Sequence, residues 1–204
     1  MDSNEREFRK SPLLGWEEAR KVAASLLEAA IPRDGYTIDH ALAIAKLSRR
    51  VGVEFDLSEE ALEALALGAL LHDVGKLGVP EAVLEKSTPL TQQDWELIKR
   101  HPDIGARMIE QIWCLRRVAQ IIRHHHERYD GSGYPDGLEG EEIPLTARIV
   151  AATDAYDVMV RGRPYGESRS PTEAIEELMS GAGSQFDAEV VAALIVVVVE
   201  LGKP

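Results

Sequence analysis

The chain has 204 residues, 45% of them hydrophobic and 28% charged, with a formal net charge of −12 and a single cysteine. That length and balance predict one globular domain able to bury a core without staples. The acidic surplus excludes broad binding to DNA or RNA polymers, which requires a basic face to displace counterions. A small anionic substrate stays open, because bound cations and a few placed Lys or Arg side chains reverse the sign locally. Cys114 has no internal disulfide partner, which predicts a reducing, cytoplasmic setting. Met1 to Lys10 is too polar and charged for a signal peptide. The longest apolar run, Val190 to Val199, is too short to span a bilayer, so no membrane association is expected and the run reads as a buried C-terminal helix.

Almost every periodic segment predicts helix. Residues 1–14 read as a tail. Trp16, Ala19, Val22, Ala23, Leu26, Leu27 and Ala30 then repeat at helical spacing, and Pro32 is expected to stop the run. A second helix carries Ile38, Ala41, Leu42 and Ala45, with Gly52 as its stop. Ser58 is a candidate N-cap, followed by Glu59 and Glu60 in the positive first turn. The helix it starts runs to His72, and Gly75 is expected to end it. Thr91 with Asp94 has the form of a capping box. His101 then stands at a cap with Pro102 in the first helical position. Leu115 to Arg128 and Pro144 to Val160 form two more helices, Ser170-Pro171 with Glu173 opens another, and Asp187 opens the last. No alternating strand pattern, repeat or linker interrupts this. The one long irregular stretch, Tyr129 to Ile143, is rich in Gly, Asp and Pro, and loops of that length in compact domains are often functional.

Onto this helical scaffold falls a ligand inventory: His40, His72-Asp73, His101, His125-His126 and Asp154. Imidazoles suit iron, manganese, zinc and nickel, and carboxylates suit hard or borderline divalent ions and can bridge two of them. The set is too large for one tetrahedral ion and about right for a pair. Neighbours on a helix point about 100° apart, so the doublets His72-Asp73 and His125-His126 straddle two ions more readily than they chelate one, with Asp73 as the natural bridge. Bundle cores hold metals in this way, from facing helices. Taken singly, His40 reads as a hydrogen-bonded core residue, His101 as a cap and Asp154 as a buried, satisfied carboxylate. His124 is the bystander of its tract. Asp157, one turn after Asp154, is either an acceptor for a ligand imidazole or a surface carboxylate.

At these residues the chain resembles the HD-GYP family, a subgroup of the HD metal-dependent phosphohydrolases. The matching text is His72-Asp73-Val74-Gly75-Lys76, His101-Pro102-Asp103-Ile104-Gly105, His125-His126-Glu127-Arg128-Tyr129-Asp130-Gly131-Ser132-Gly133-Tyr134-Pro135, Asp154-Ala155-Tyr156-Asp157 and Arg163-Pro164-Tyr165. It extends from about Asp39 to the C-terminus. The resemblance implies an all-α HD-domain helical bundle over residues 15–204, with an extra C-terminal helical extension and a GYP loop over the metal site. It implies a dinuclear or trinuclear iron or manganese centre and hydrolysis of the cyclic dinucleotide cyclic di-GMP to pGpG and, in some members, GMP. Carried across, the metal ligands are His40, His72, Asp73, His101, His125, His126 and Asp154. Asp73 and Lys76 are then catalytic, Lys76 meets a substrate phosphate, Arg163 meets a guanine or phosphate, and Tyr134 either stacks on a base or anchors its loop.

The chain departs from the family where trinuclear members carry a glutamate, a position held here by Tyr36, so two divalent metal ions are expected. Gly166 and Glu167 also stand where a basic residue often follows. A receiver or sensor domain, common ahead of this one in relatives, is not expected. The helix from Trp16 to Ile31 is read as core packing, a connector or a homodimer contact, and a signalling partner is open. A catalytically weak module that binds nucleotide or a partner protein, and a hydrolase of another cyclic dinucleotide, are the alternatives.

Overall fold

Apolar residues at helical spacing, closed off by capping side chains, turn nearly all of the chain into helix. The computed structural model describes residues 12–34, 38–162 and 168–202. Helix α1 spans Pro12–Asp34, α2 Ile38–Glu54, α3 Glu59–Leu71, α4 Glu81–Leu84 and α5 Gln92–Ile98. They are followed by α6 His101–Glu110, α7 Ala119–His124, α8 Leu145–Arg161, α9 Pro171–Ser180 and α10 Ala188–Leu201. Short 3-10 turns occur at Val74–Gly78, Arg116–Val118 and Gly140–Glu142. The fold is all-α, with no strand among the described residues beyond two isolated bridges, Asp130 with Glu139 and Ala182 with Phe186.

The expected caps form. Ser58 Oγ accepts from the Ala61 N–H at 3.3 Å, and Asp187 Oδ1 accepts from the Glu189 N–H at 2.8 Å. Thr91 with Asp94 and Ser170 with Glu173 complete reciprocal capping boxes. Each such cap stabilises its helix by about 1 kcal/mol.

Past its acidic first turn and Glu63, helix α3 is apolar from Ala64 to Leu71, which suits burial on every side there. Its Leu65 and Ala69 enter one core cluster with Ile44, Val51, Ile149 and Leu194, while its Leu67 and Leu71 enter a second with Ala19, Ile109 and Leu115. Helix α7 divides in the same way, with Ile121 in the first cluster and Ile122 in the second. Fully burying each such side chain stabilises by about 1.5–3 kcal/mol. The two helices whose ends carry His72 and His125 therefore lie along the seam between the clusters, anchored from both sides. Trp16, Ala19 and Ala23 seat α1 in the second cluster, which is the core-packing reading of that helix.

Several expected boundaries move. Helix α1 begins at Pro12, inside the stretch read as a tail, and continues through Pro32 to Asp34. A proline so close to a helix end forfeits a single backbone hydrogen bond. Gly52 does not stop α2, which continues to Glu54. A Cβ there would meet Leu62 and Leu65 at 2.8 Å, so glycine lets α2 and α3 touch. Leu115 to Arg128 is not one helix. A 3-10 turn precedes α7, and the Glu127 N–H bonds the His124 carbonyl at 3.0 Å, a tightened turn that ends it. His101 is the first residue of α6 rather than its cap, a position taken by Arg100. Its Nδ1 donates to the Ile98 carbonyl at 2.7 Å, so the ring does not act as a cap acceptor. The C-terminal helix is only half buried. Val190, Val191, Leu194 and Val197 face the core, but Val196 and Val199 are 48% and 50% exposed. No helix of the described residues is long and apolar enough to cross a membrane.

Candidate metal centre

Helix α3 gives out at Leu71, and His72 follows as its last helical-geometry residue. Asp73 then leaves the helix at φ −95°, ψ 4° and enters the Val74–Gly78 turn, which relaxes the angle between the two neighbouring candidate ligands. Gly75 is not a helix stop but the point where this turn meets α6. A Cβ there would lie 1.9 Å from the His101 carbonyl oxygen and 2.5 Å from Gly105 N. Only glycine permits the two segments bearing His72-Asp73 and His101 to press backbone to backbone. His125 ends α7 and His126 follows it. His40 sits in the first turn of α2, and Asp154 in the middle of α8.

These elements bring all seven residues together in two groups. Asp73, His101, His125 and His126 form one, and His40, His72 and Asp154 the other; within each, the ligand atoms lie within 4.8 Å of one another. Asp73 faces both. Its Oδ1 is 3.1 Å from His101 Nε2, and its Oδ2 is 3.2 Å from His72 Nε2.

The rings are held by their other nitrogen. His72 Nδ1 donates to the Ala69 carbonyl at 2.8 Å, His101 to Ile98 at 2.7 Å and His125 to Ile122 at 2.7 Å. His40 Nδ1 donates to Asp157 Oδ2 at 2.7 Å. Donation from Nδ1 leaves Nε2 of a neutral imidazole as a lone pair, and these lone pairs converge. His101 Nε2 and His125 Nε2 stand 3.4 Å apart, and Asp73 Oδ1 is buried without a hydrogen-bond partner. Acceptors facing acceptors at that range are unfavourable unless a cation lies among them, so the donor set fits divalent metal ions, with the orienting hydrogen bonds metal-ligating histidines require.

The two halves differ electrostatically. Burial presses the His72 imidazole down, but Asp73 and Asp154 outweigh it and push its pKa up to about 9. Burial and the neighbouring His126 hold His125 well below its ordinary value, and burial with His101 takes His126 down to about 3. Burial raises Asp154. Burial also works to raise Asp73, yet Lys76 and His72 hold it well below the usual carboxylate range. Lys76 Nζ donates to Asp73 Oδ2 at 2.8 Å, placing a fixed positive charge at the edge of the centre.

The glycine-rich loop lies over His126. The Tyr134 ring stacks on the His126 ring at 4.9 Å between centroids, and burial raises the Tyr134 phenol. Two residues to which the sequence assigned no role hold the loop. Glu127 Oε1 accepts from the Asp136 and Gly137 N–H groups at 2.7 and 3.1 Å. Arg123 grips Asp136 through two bonds of 2.7 and 2.9 Å and also pairs with Asp103 on α6. The available signal was the buried Glu127 directly after two ligands, and an Arg–Asp pairing only the folded chain reveals. His124 is no member of either ligand group. Its Nε2 lies 3.0 Å from Asp136 Oδ2, which ties it to the loop. Asp157 takes the imidazole-acceptor role and is also bonded by Arg161 Nε at 2.9 Å. Tyr36 and the Arg163 expected to meet substrate lie outside the described residues.

The profile of the HD domain family matches residues 10–190. The cyclic di-GMP phosphodiesterase response regulator RpfG of Xanthomonas campestris pv. campestris is 40% identical over 181 residues, 88% of this chain and 48% of that protein. A cyclic di-GMP phosphodiesterase of Thermotoga maritima is 39% identical over 165 residues, 80% of this chain and 45% of that protein. The chain thus spans about half the length of the curated relatives it matches. Among solved structures, V-cGAP3, a cyclic GMP-AMP specific phosphodiesterase of Vibrio cholerae, superimposes with a TM-score of 0.69 at 25% identity, covering 87% of this chain and 48% of that one. With its ligand pattern converging on one centre and its profile matched nearly end to end, the chain belongs to the HD domain family, in the HD-GYP type.

Proposed function

We propose that this chain is a metal-dependent phosphodiesterase that hydrolyses cyclic di-GMP to linear pGpG, with onward hydrolysis to GMP open. The observation that carries the reading is the pair of candidate ligand groups, with Asp73 of one also 3.2 Å from His72 Nε2 of the other. The metal ligands on this reading are His40, His72, Asp73, His101, His125, His126 and Asp154, holding two divalent ions, iron or manganese. When bound, such a pair supplies Lewis-acid polarisation of a phosphoryl oxygen and an activated water. Asp73 spans the two halves with its separate oxygens. Lys76 adds a cation where negative charge develops on the phosphoryl group. Tyr134, stacked on His126, walls the site and excludes water from one side. Arg163 is assigned to the substrate on the family resemblance. Residues 15–204 act as the catalytic domain, in the cytoplasm, on a small cyclic dinucleotide and not on nucleic-acid polymers or membranes, with a homodimer or signalling partner as the further associations to examine.

Protein purified anaerobically and loaded with manganese or ferrous iron is expected to release pGpG from cyclic di-GMP, and chelator-treated protein to release none. Loaded protein that leaves cyclic di-GMP intact would overturn the reading. The likeness to V-cGAP3 favours cyclic GMP-AMP as the second substrate to place in the same panel.

A further inference from the structure

Helix α5 buries none of its residues, and its Trp95 is 46% exposed. A helix of this kind gains little from the core. It is held instead by its capping box and by a pairing of Lys86 with Asp94. The Lys99 N–H donates to the Trp95 carbonyl at 2.9 Å, so the two side chains leave on one face, a turn apart. Lys99 Nζ lies over the Tyr134 ring, 5.4 Å from its centroid, and that ring stacks on His126. The face is therefore continuous with the metal centre, through Trp95, Lys99, Tyr134 and His126. Among the described residues neither Lys99 nor the adjacent Arg100 has a carboxylate within ion-pair distance, in a chain of net charge −12. Uncompensated cations beside a centre built for cations repel it, and an anion between them removes that cost. The contact with Tyr134 explains where the ammonium rests but not why a charge stands there.

We propose that this face binds the half of the cyclic dinucleotide that is not cleaved, with Lys99 taking its phosphate and Trp95 stacking its purine base. The proposal rests on the phosphodiesterase reading and deepens it. A cyclic dinucleotide has two phosphodiesters. When one occupies the metal centre, the other carries a full negative charge that needs a partner, and Lys99 is an exposed cation over the Tyr134 ring that stacks on His126. Stacking on an aromatic face is tolerant of base identity because every base has a π-face. The distal position therefore accepts adenine as well as guanine.

The test uses the manganese-loaded full chain, with cyclic di-GMP, a bis-phosphorothioate analogue of it, and bis(p-nitrophenyl) phosphate, which has one phosphodiester and no purine. Lys99→Gln and Trp95→Ala are each expected to raise KM for cyclic di-GMP by about tenfold with a much smaller change in kcat. They should weaken binding of the analogue to match, and shift the KM of the aryl diester far less. Lys99→Arg should restore most of the affinity. Unaltered analogue binding in both variants overturns the proposal, as does an equal loss on both diesters, which would mean a structural role. If the unmodified chain binds the analogue without hydrolysing cyclic di-GMP, the phosphodiesterase reading fails while the binding data still judge Lys99 and Trp95. No binding by the unmodified chain removes both.

Discussion

Asp157 Oδ2 accepts the Nδ1 proton of His40 at 2.7 Å, across 117 positions of sequence. One helix thus presents a candidate ligand, Asp154, and one turn later orients the imidazole that faces it, with His40 Nε2 3.5 Å from Asp154 Oδ1. A carboxylate in this position fixes the tautomer and the orientation of the ring.

Asp157→Asn should therefore fold normally but hold metal about 10–100-fold more weakly. Metal content after dialysis, set against the melting temperature, separates the two effects. Unchanged metal retention would show that the backbone alone positions His40.

Gly75→Ala should damage the centre more than Gly68→Ala. The new Cβ at 75 would sit 1.9 Å from a backbone oxygen, whereas at 68 it meets the Ile121 side chain at 2.7 Å, and side chains can shift where backbone cannot. Overpacking typically costs about 1–3 kcal/mol, and position 75 belongs at or above the top of that range. Denaturant melts of the two variants, with metal content measured alongside, check the order.

His125→Ala should lose metal and turnover, and His124→Gln should keep its metal. The first ring belongs to a converging ligand group; the second donates Nδ1 to the Gln120 carbonyl at 3.0 Å and faces Asp136 instead. Metal analysis of the two neighbours side by side decides it.

Arg123→Ala should loosen the glycine-rich loop while sparing the ligands, because it removes both bonds to Asp136 and the pairing with Asp103. Charge-assisted bonds of this kind contribute about 1.5–3 kcal/mol. Faster amide exchange through residues 129–143, with metal content retained, is the expected outcome.

Helix α5 should fray in acid before the core opens. Lys86 and the Thr91 cap bonds bring the Asp94 carboxyl down to about 2. Because the folded value is depressed, this contribution is complete above the ordinary aspartate range near 4. It is lost as pH falls through about 2. Amide exchange in residues 92–98 should rise across that interval, and Asp94→Asn should abolish the pH dependence.

The all-α class and the local caps were legible in the sequence because each depends on residues a few positions apart. Thr91 with Asp94 and Ser170 with Glu173 close boxes wherever the rest of the chain lies. The seven candidate ligands were legible as candidates too, since their residue types are chemically distinctive, and the fold brings them together. Tertiary structure alone decided which oxygen of Asp73 meets which imidazole, that Asp157 serves His40, and that Glu127 and Arg123 hold the loop. Gly52 and Gly75 show why. Glycine near an expected helix end suggests a stop, yet here it permits close approach by a segment distant in sequence, and local pattern carries no record of that neighbour. Helix α10 makes the same point in reverse, because a run of valines states its hydrophobicity but not which of its faces the other helices will cover.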